Sequence, residues 1–288
     1  MRLSGDERGR EVELFRRGIL DGLPPRVLHA ALDGWYDDRG GVLVMRDLGD
    51  AVLTWRSVVT KEQTATMFGA VADLHEAFRG CAPEGVTPLD EVLGLFEPRR
   101  IRPFAGNALV DSALRGWECW PEVAPGEVGD RVLALAQDTA PLVEACRSLP
   151  GTFLHGDLST VNMALEADRP GCLTLIDWGL ATTGPAELDI GRLLAGCAQV
   201  FGPIGGRAED DSVVARLDRL LAVHRVIAGA AFDDAALRLG LLAGLVWLGW
   251  NKALDIVEHP DPAVRERERA ALPWWLHQAE LAFGTGLI

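Results

Sequence analysis

The chain has 288 residues, enough for one bilobal domain or two modest ones, and its 48% hydrophobic content supports a sizeable core and excludes a disordered chain. The formal charge of −14, from 42 acidic and 28 basic residues, argues against nucleic acid and anionic membranes as partners, because both require a basic face. The same charge would suit a cationic ligand, but it is more often simply that of an acidic cytosolic protein.

The first predicted element is a helix from about Glu7 to Leu20, with Val12, Phe15 and Ile19 at helical spacing. Asp21-Gly22 and Pro24-Pro25 stop it. Arg26-Val27-Leu28-His29 reads as a short extended stretch. Asp37 to Gly41 is a turn cluster. Gly41 to Met45 then reads as a buried strand ending at Arg46-Asp47-Leu48. The next helix runs over Thr60–Phe78, with Thr60 and Gln63 in capping-box spacing. Thr87-Pro88 starts another, with proline at the first helical position. Gly126 to Arg147 reads as two helical pieces split near Pro141. One β region interrupts the helices: Thr152–His155 is extended, and two apolar strands, 162–165 and 172–176, flank the turn Asp168-Arg169-Pro170-Gly171 as a hairpin. Three or four helices close the chain, at about 187–201, 209–230, 233–257 and 262–283. No internal repeat or long linker is present.

The five cysteines, Cys81, Cys119, Cys146, Cys172 and Cys197, are odd in number and lack C-x-x-C spacing. Neither a disulfide framework nor a zinc site is indicated, and a reducing cytoplasm fits. Met1 to Arg8 is charged and has no apolar core for a signal peptide. The longest nearly unbroken apolar run, Leu239 to Trp250, is too short to span a bilayer. A soluble cytoplasmic protein without a membrane partner is expected.

The chemistry concentrates in His155-Gly156-Asp157-Leu158-Ser159-Thr160-Val161-Asn162 and Ile176-Asp177-Trp178-Gly179. Phosphoryl transfer needs a carboxylate to orient and deprotonate the attacking hydroxyl, and oxygen ligands that hold magnesium on the phosphates. A kinase catalytic loop supplies an Asp and, five positions on, an Asn; a later Asp-Phe-Gly supplies the main metal ligand. Asp157 and Asn162 have that offset. Asp177-Trp178-Gly179 follows a hairpin of suitable length, with Trp in place of Phe. Alone, such an offset means nothing, and each residue could equally cap a turn. The joint pattern of strand, His-Gly-Asp, Asn, hairpin and Asp-aromatic-Gly outweighs that reading.

The His-Gly-Asp form, Asp177-Trp178-Gly179 and the following Gly184-Pro185-Ala186-Glu187-Leu188-Asp189 resemble the aminoglycoside-phosphotransferase and choline-kinase group of small-molecule kinases. Weaker likeness covers nearly the whole chain, including Leu74-His75-Glu76. The resemblance implies an α+β, protein-kinase-like fold: a truncated small N-terminal lobe, residues 1–50, and a large, mostly helical C-terminal lobe, 51–288, with a catalytic β-hairpin. It implies ATP as co-substrate, Mg2+, and a small-molecule hydroxyl substrate. Asp157 would be the catalytic base, and Asn162 and Asp177 the magnesium ligands. Asp189 would brace the catalytic loop and His155 would position it. Adenine would meet the backbone around Arg46, Asp47 and Leu48. Glu11, on the face of Phe15 and Ile19, would be the glutamate that pairs with an ATP-binding lysine. It reads equally well as a solvated helix charge.

The chain departs from the group at its start. Ten residues precede Glu11, too few for a three-strand sheet with a phosphate loop and a lysine. The two lysines are Lys61 and Lys252, neither on a strand ahead of the Glu11 helix. The leading expectation is therefore a small-molecule kinase, incomplete as encoded. The alternative is a pseudokinase-like protein that binds a nucleotide or metabolite without turnover. Trp247, Trp250, Asn251, Asp255, Trp274 and Trp275 are candidate pocket lining, although tryptophans in such apolar runs more often pack the core.

Overall fold

The N-terminal amphipathic pattern folds as α1 (Arg10–Arg16), shorter than its predicted span. The computed structural model describes residues 9–37, 40–202 and 212–288. The predicted helix start at Glu7, the Asp38-Arg39 part of the turn cluster, and the start of a closing helix near 209 lie outside these residues. After α1 come β1 (Val27–His29), β2 (Ala31–Asp37) and β3 (Gly40–Met45). The sequence pattern does not announce β2. It pairs antiparallel with β3, Trp35 opposite Val42, with a bulge between Ala31 and Asp33. The face bearing Gly34 and Leu43 lies on α1, where a Cβ on Gly34 would come within 3.1 Å of Val12 and 3.3 Å of Phe15. The opposite face is open: Val42 is 41% exposed and Val44 40%. The expected buried strand is therefore a half-covered one, because only α1 packs against it.

β1 leaves this hairpin and joins the catalytic region. It pairs in parallel with β6 (Leu173–Leu175), Val27 opposite Leu173. β6 pairs antiparallel with β5 (Met163–Ala164), which confirms the predicted hairpin. β4 (Thr152–Leu154) pairs antiparallel with β7 (Thr182–Gly184). The segment after β3 is tied to the same hairpin: Leu53 donates its N–H to the Met163 carbonyl at 2.9 Å, and Leu165 to that of Ala51 at 3.0 Å.

Helices form the rest. α2 (Lys61–Ala77) has the expected capping box between Thr60 and Gln63, worth about 1 kcal/mol. α3 (Leu89–Leu93) starts one residue later than expected, because Pro88 is the N-cap. α4 (Pro98–Ile101) and α5 (Ala108–Val123) follow. α6 (Glu127–Gln137) and α7 (Ala140–Arg147) split as predicted, with Pro141 in the first turn of α7. The last four are α8 (Glu187–Cys197), α9 (Val213–Ala228), α10 (Asp234–Glu258) and α11 (Pro262–Phe283).

α10 corrects the reading of the apolar run. Its 25 residues are long and apolar enough, by length and composition, to cross a membrane. It is instead the core helix, with 78% of its most apolar stretch buried among the other helices. α5, α8 and α11 surround it. The crossing with α8 is made by glycines. A Cβ on Gly191 would stand 1.8 Å from the Gly240 carbonyl, and one on Gly244 2.3 Å from that of Gly191. Helical glycine costs roughly 0.5–1 kcal/mol against alanine; here it allows backbone contact that fixes where α8 presents its side chains.

Candidate active site

The catalytic loop hangs from one buried carboxylate. Asp189, in the first turn of α8, is 1% exposed. Its two oxygens accept the backbone N–H of His155 and of Gly156, each at 2.9 Å. His75, from α2, completes the brace with Nε2 3.0 Å from Asp189 Oδ2. Burial pushes the Asp189 carboxyl up, but its contact with His75 and the Gly156 N–H outweigh that, and it lies below the usual carboxylate range. This is the bracing role expected of Asp189.

His155 is fully buried and ties loop to hairpin. Its Nε2 is 2.9 Å from the Ile176 carbonyl, and Nδ1 accepts the Asp157 N–H at 3.3 Å. That pattern requires the proton on Nε2. Trp178 packs over it at 4.8 Å and stacks on Phe153 at 5.6 Å. Gly156 turns the loop at φ 81°, and a Cβ there would lie 1.9 Å from the Leu180 carbonyl.

The loop places Asp157, Asn162 and Asp177 together. Asn162 Nδ2 donates to the Asp157 carbonyl at 3.0 Å and lies 3.4 Å from Asp157 Oδ2. Spending the amide hydrogens this way frees Asn162 Oδ1 as an acceptor. Asp177 is the one described non-glycine residue with positive φ, at 63°. Such a conformation costs about 1 kcal/mol or more and persists where surroundings over-determine it. Burial first, and then the charge of Asp157, raise the Asp177 carboxyl above its ordinary value.

Glu11 reaches this group from α1. Its Oε1 accepts the Asp177 N–H at 3.0 Å. Burial raises its carboxyl, and the Trp178 N–H opposes the shift. The solvated-charge reading of Glu11 is therefore corrected. Glu13 does point elsewhere, accepting from the Tyr36 hydroxyl at 2.7 Å. Neither lysine is near: Lys61 opens α2, and Lys252 is buried against Glu268 at 3.2 Å.

Arg46, Asp47 and Leu48 lie in the arm that leaves β3. The Arg46 N–H is committed to the Ala30 carbonyl at 2.7 Å, and Asp47 Oδ1 accepts the Gly49 N–H at 2.9 Å. The Arg46 guanidinium forks onto Glu166, which also accepts from Thr174 at 2.6 Å. Sequence reasoning missed Glu166, whose only signal is its place just after β5.

Beside Asp157 opens a cleft of about 760 Å³. Trp247, Trp250, Asn251 and Asp255 line it, as do Trp55 and Phe96. Trp274 and Trp275 do not: Trp275 is core and Trp274 donates to Asp218 at 2.8 Å. Arg192 also lines the cleft, with Nη2 2.7 Å from Asp157 Oδ1. Its signal in the sequence was its place three residues after Asp189, on the same helical face. Among the described residues no cluster of three or more His, Cys, Asp or Glu side chains could hold a metal alone. Two oxygen donors, Asn162 Oδ1 and the Asp177 carboxylate, do suit magnesium, which takes one or two protein ligands beside phosphates and water.

Comparison with known proteins matches the chain to the family model for the phosphotransferase enzyme family over residues 13–238. No curated protein matches the sequence. Among solved structures, it is similar to an aminoglycoside-3'-phosphotransferase of type VIII, at 20% identity over 82% of this chain and 79% of that one, TM-score 0.52. It is also similar to aminoglycoside phosphotransferase APH(3'')-Id from Streptomyces rimosus, solved in complex with ADP and streptomycin, at 17% identity over 84% of each chain, TM-score 0.54. At such identity these structures share the fold.

Proposed function

The chain belongs to the phosphotransferase enzyme family, and from that premise we propose that it transfers the γ-phosphate of ATP to a hydroxyl of a small molecule bound in the cleft. The observation that carries this reading is the convergence of Asn162 and Asp177 on Asp157, which itself lines that cleft. The substrate hydroxyl oxygen forms a bond to the γ-phosphorus while the bond to the β–γ bridging oxygen breaks. The electron pair leaves on ADP, and the hydroxyl proton passes to the Asp157 carboxylate. Asn162 and Asp177 would hold magnesium, which when bound neutralises charge on the phosphates. Burial and the Asp157 charge both raise the Asp177 carboxyl, and a bound dication would oppose that shift.

Adenine would lie against the arm at Arg46–Leu48. A neighbour of the same fold holds ADP and streptomycin, which supports a nucleotide and a polyhydroxylated small molecule as ligand classes. A division into residues 1–50 and 51–288 would put that arm at the boundary. A second reading is favoured by Glu11, which engages the backbone of Asp177 and not a lysine. The protein would then bind a nucleotide without turnover.

Calorimetry with magnesium and ATP tests the site, with Asp177→Ala as control. Magnesium-dependent binding that the variant loses is expected. ADP release in a screen of hydroxylated acceptors, abolished by Asp157→Ala, then separates the two readings: binding without release supports the second. A folded protein that binds no nucleotide sinks both.

A further inference from the structure

Arg192 is held in a way that the metal and base residues do not explain. Nη2 lies 2.7 Å from Asp157 Oδ1, and the guanidinium carbon sits 4.9 Å from the centroid of the Trp247 ring. One turn along α8, Gly196 leaves the space in which Nη1 runs; a Cβ there would approach Nη1 to 2.7 Å. The side chain is 12% exposed. Its N–H does not point along the line to Oδ1, so the contact is charge pairing and not a directed hydrogen bond. Nε and Nη1 find no hydrogen-bond partner among the described residues. A nearly buried cation therefore has one charged partner among the described residues, the Asp157 carboxylate. An indole face and a gap left by a glycine supply the rest of its support.

We propose that Arg192 is a positioning residue for Asp157. It holds Oδ1 from the α8 side while the Asn162 amide stands near Oδ2, so the carboxylate is gripped at both edges. Its rotation is then set before the hydroxyl arrives. α8 is fixed by Asp189 at its start and by the glycine crossing with α10, so the guanidinium has a rigid mount. The inference rests on the kinase reading above, because it assigns Asp157 the role of base.

Three variants test it: Arg192→Met, Asp157→Asn and the double variant, with Arg192→Lys as the conservative change. Misplacing a reacting group by about 1 Å costs on the order of a hundredfold. Arg192→Met should therefore lower kcat roughly 30- to 100-fold, with KM for ATP and acceptor within about twofold. Arg192→Lys should fall between, since a lysine supplies the charge but cannot lie flat on Trp247. In the Asp157→Asn background, Arg192→Met should cost no more than about a further twofold, because the residue acts through the base. A full additional loss in the double variant, or a raised acceptor KM with kcat unchanged, would overturn the proposal. Thermal unfolding of the same four proteins reads the pairing without turnover. The two single shifts should exceed the double variant's shift by about 3 °C or more. Additive shifts overturn the pairing whatever the turnover. Coupled shifts in a protein that releases no ADP sink the kinase reading and leave the pairing standing.

Discussion

The catalytic loop and the β2–β3 hairpin are held in opposite ways. In the loop, the braces are side chains from distant elements: Asp189 from α8 holds the His155 and Gly156 N–H groups, His75 from α2 backs Asp189, and Glu11 from α1 holds the Asp177 N–H. In the hairpin, one face lies on α1, and Leu32, Trp35, Val42 and Val44 of the strands stand exposed. The first arrangement can afford left-handed backbone at Gly156 and Asp177, because several hydrogen bonds oppose any relaxation. The second needs little more than its ladder and tolerates change.

The strongest way to test that contrast is at the reacting group. Asp157→Asn should lower turnover about a thousandfold, within the range of general-base effects, while unfolding shifts far less than for loss of the brace. ADP release beside calorimetric unfolding reads both, and turnover above a tenth of wild type would move the base elsewhere. Asp189→Asn comes next. It removes the charge that His75 and two backbone N–H groups share, and should destabilise by about 3 kcal/mol. Urea unfolding measures this; a loss below about 1 kcal/mol would show that the loop has other support.

Glu166→Gln is smaller. The hydrogen bond from Arg46 holds the Glu166 carboxyl at about 2, below its ordinary 4.5. A depressed carboxyl adds stability that is complete above the unfolded value and lost as pH falls through the folded one. The Arg46 side chain is about a third exposed, so screening leaves about 1 kcal/mol. The variant should lose that at pH 7 and show a flatter stability curve between pH 4.5 and 2; an unchanged slope there would count against the pair. Trp35→Thr, on the open hairpin face, should change stability by no more than about 0.5 kcal/mol. A loss several times larger would mean that this face is covered.

Legibility in the sequence follows the same division. The loop could be read because its chemistry needs particular residue types within one short segment, and Asp189 fell in the same run. The capped helices could be read because Thr60 and Gln63 act locally. β2 could not: Asp33, Gly34 and Asp37 are poor strand formers, and the strand exists because Gly34 lets Val12 and Phe15 pack on it. The apolar run Val42–Met45 suggested burial on both faces, whereas tertiary packing supplies one cover. Arg192 and Glu166 carried only a positional signal, for another reason. Each matters through a partner far away in the chain, and neither has a spacing that chemistry demands.

α10 has a consequence for how the molecule is made. Synthesis delivers α5 and α8 before it, so two of its flanks meet waiting partners as it leaves the ribosome. The α11 flank has none until a further 22-residue helix has been translated. In that interval a 25-residue segment with the length and hydropathy of a membrane span stands half-clothed, and the glycine crossing with α8, closed by direct backbone contact, is what can draw it inward before an insertion machinery or a chaperone competes for it.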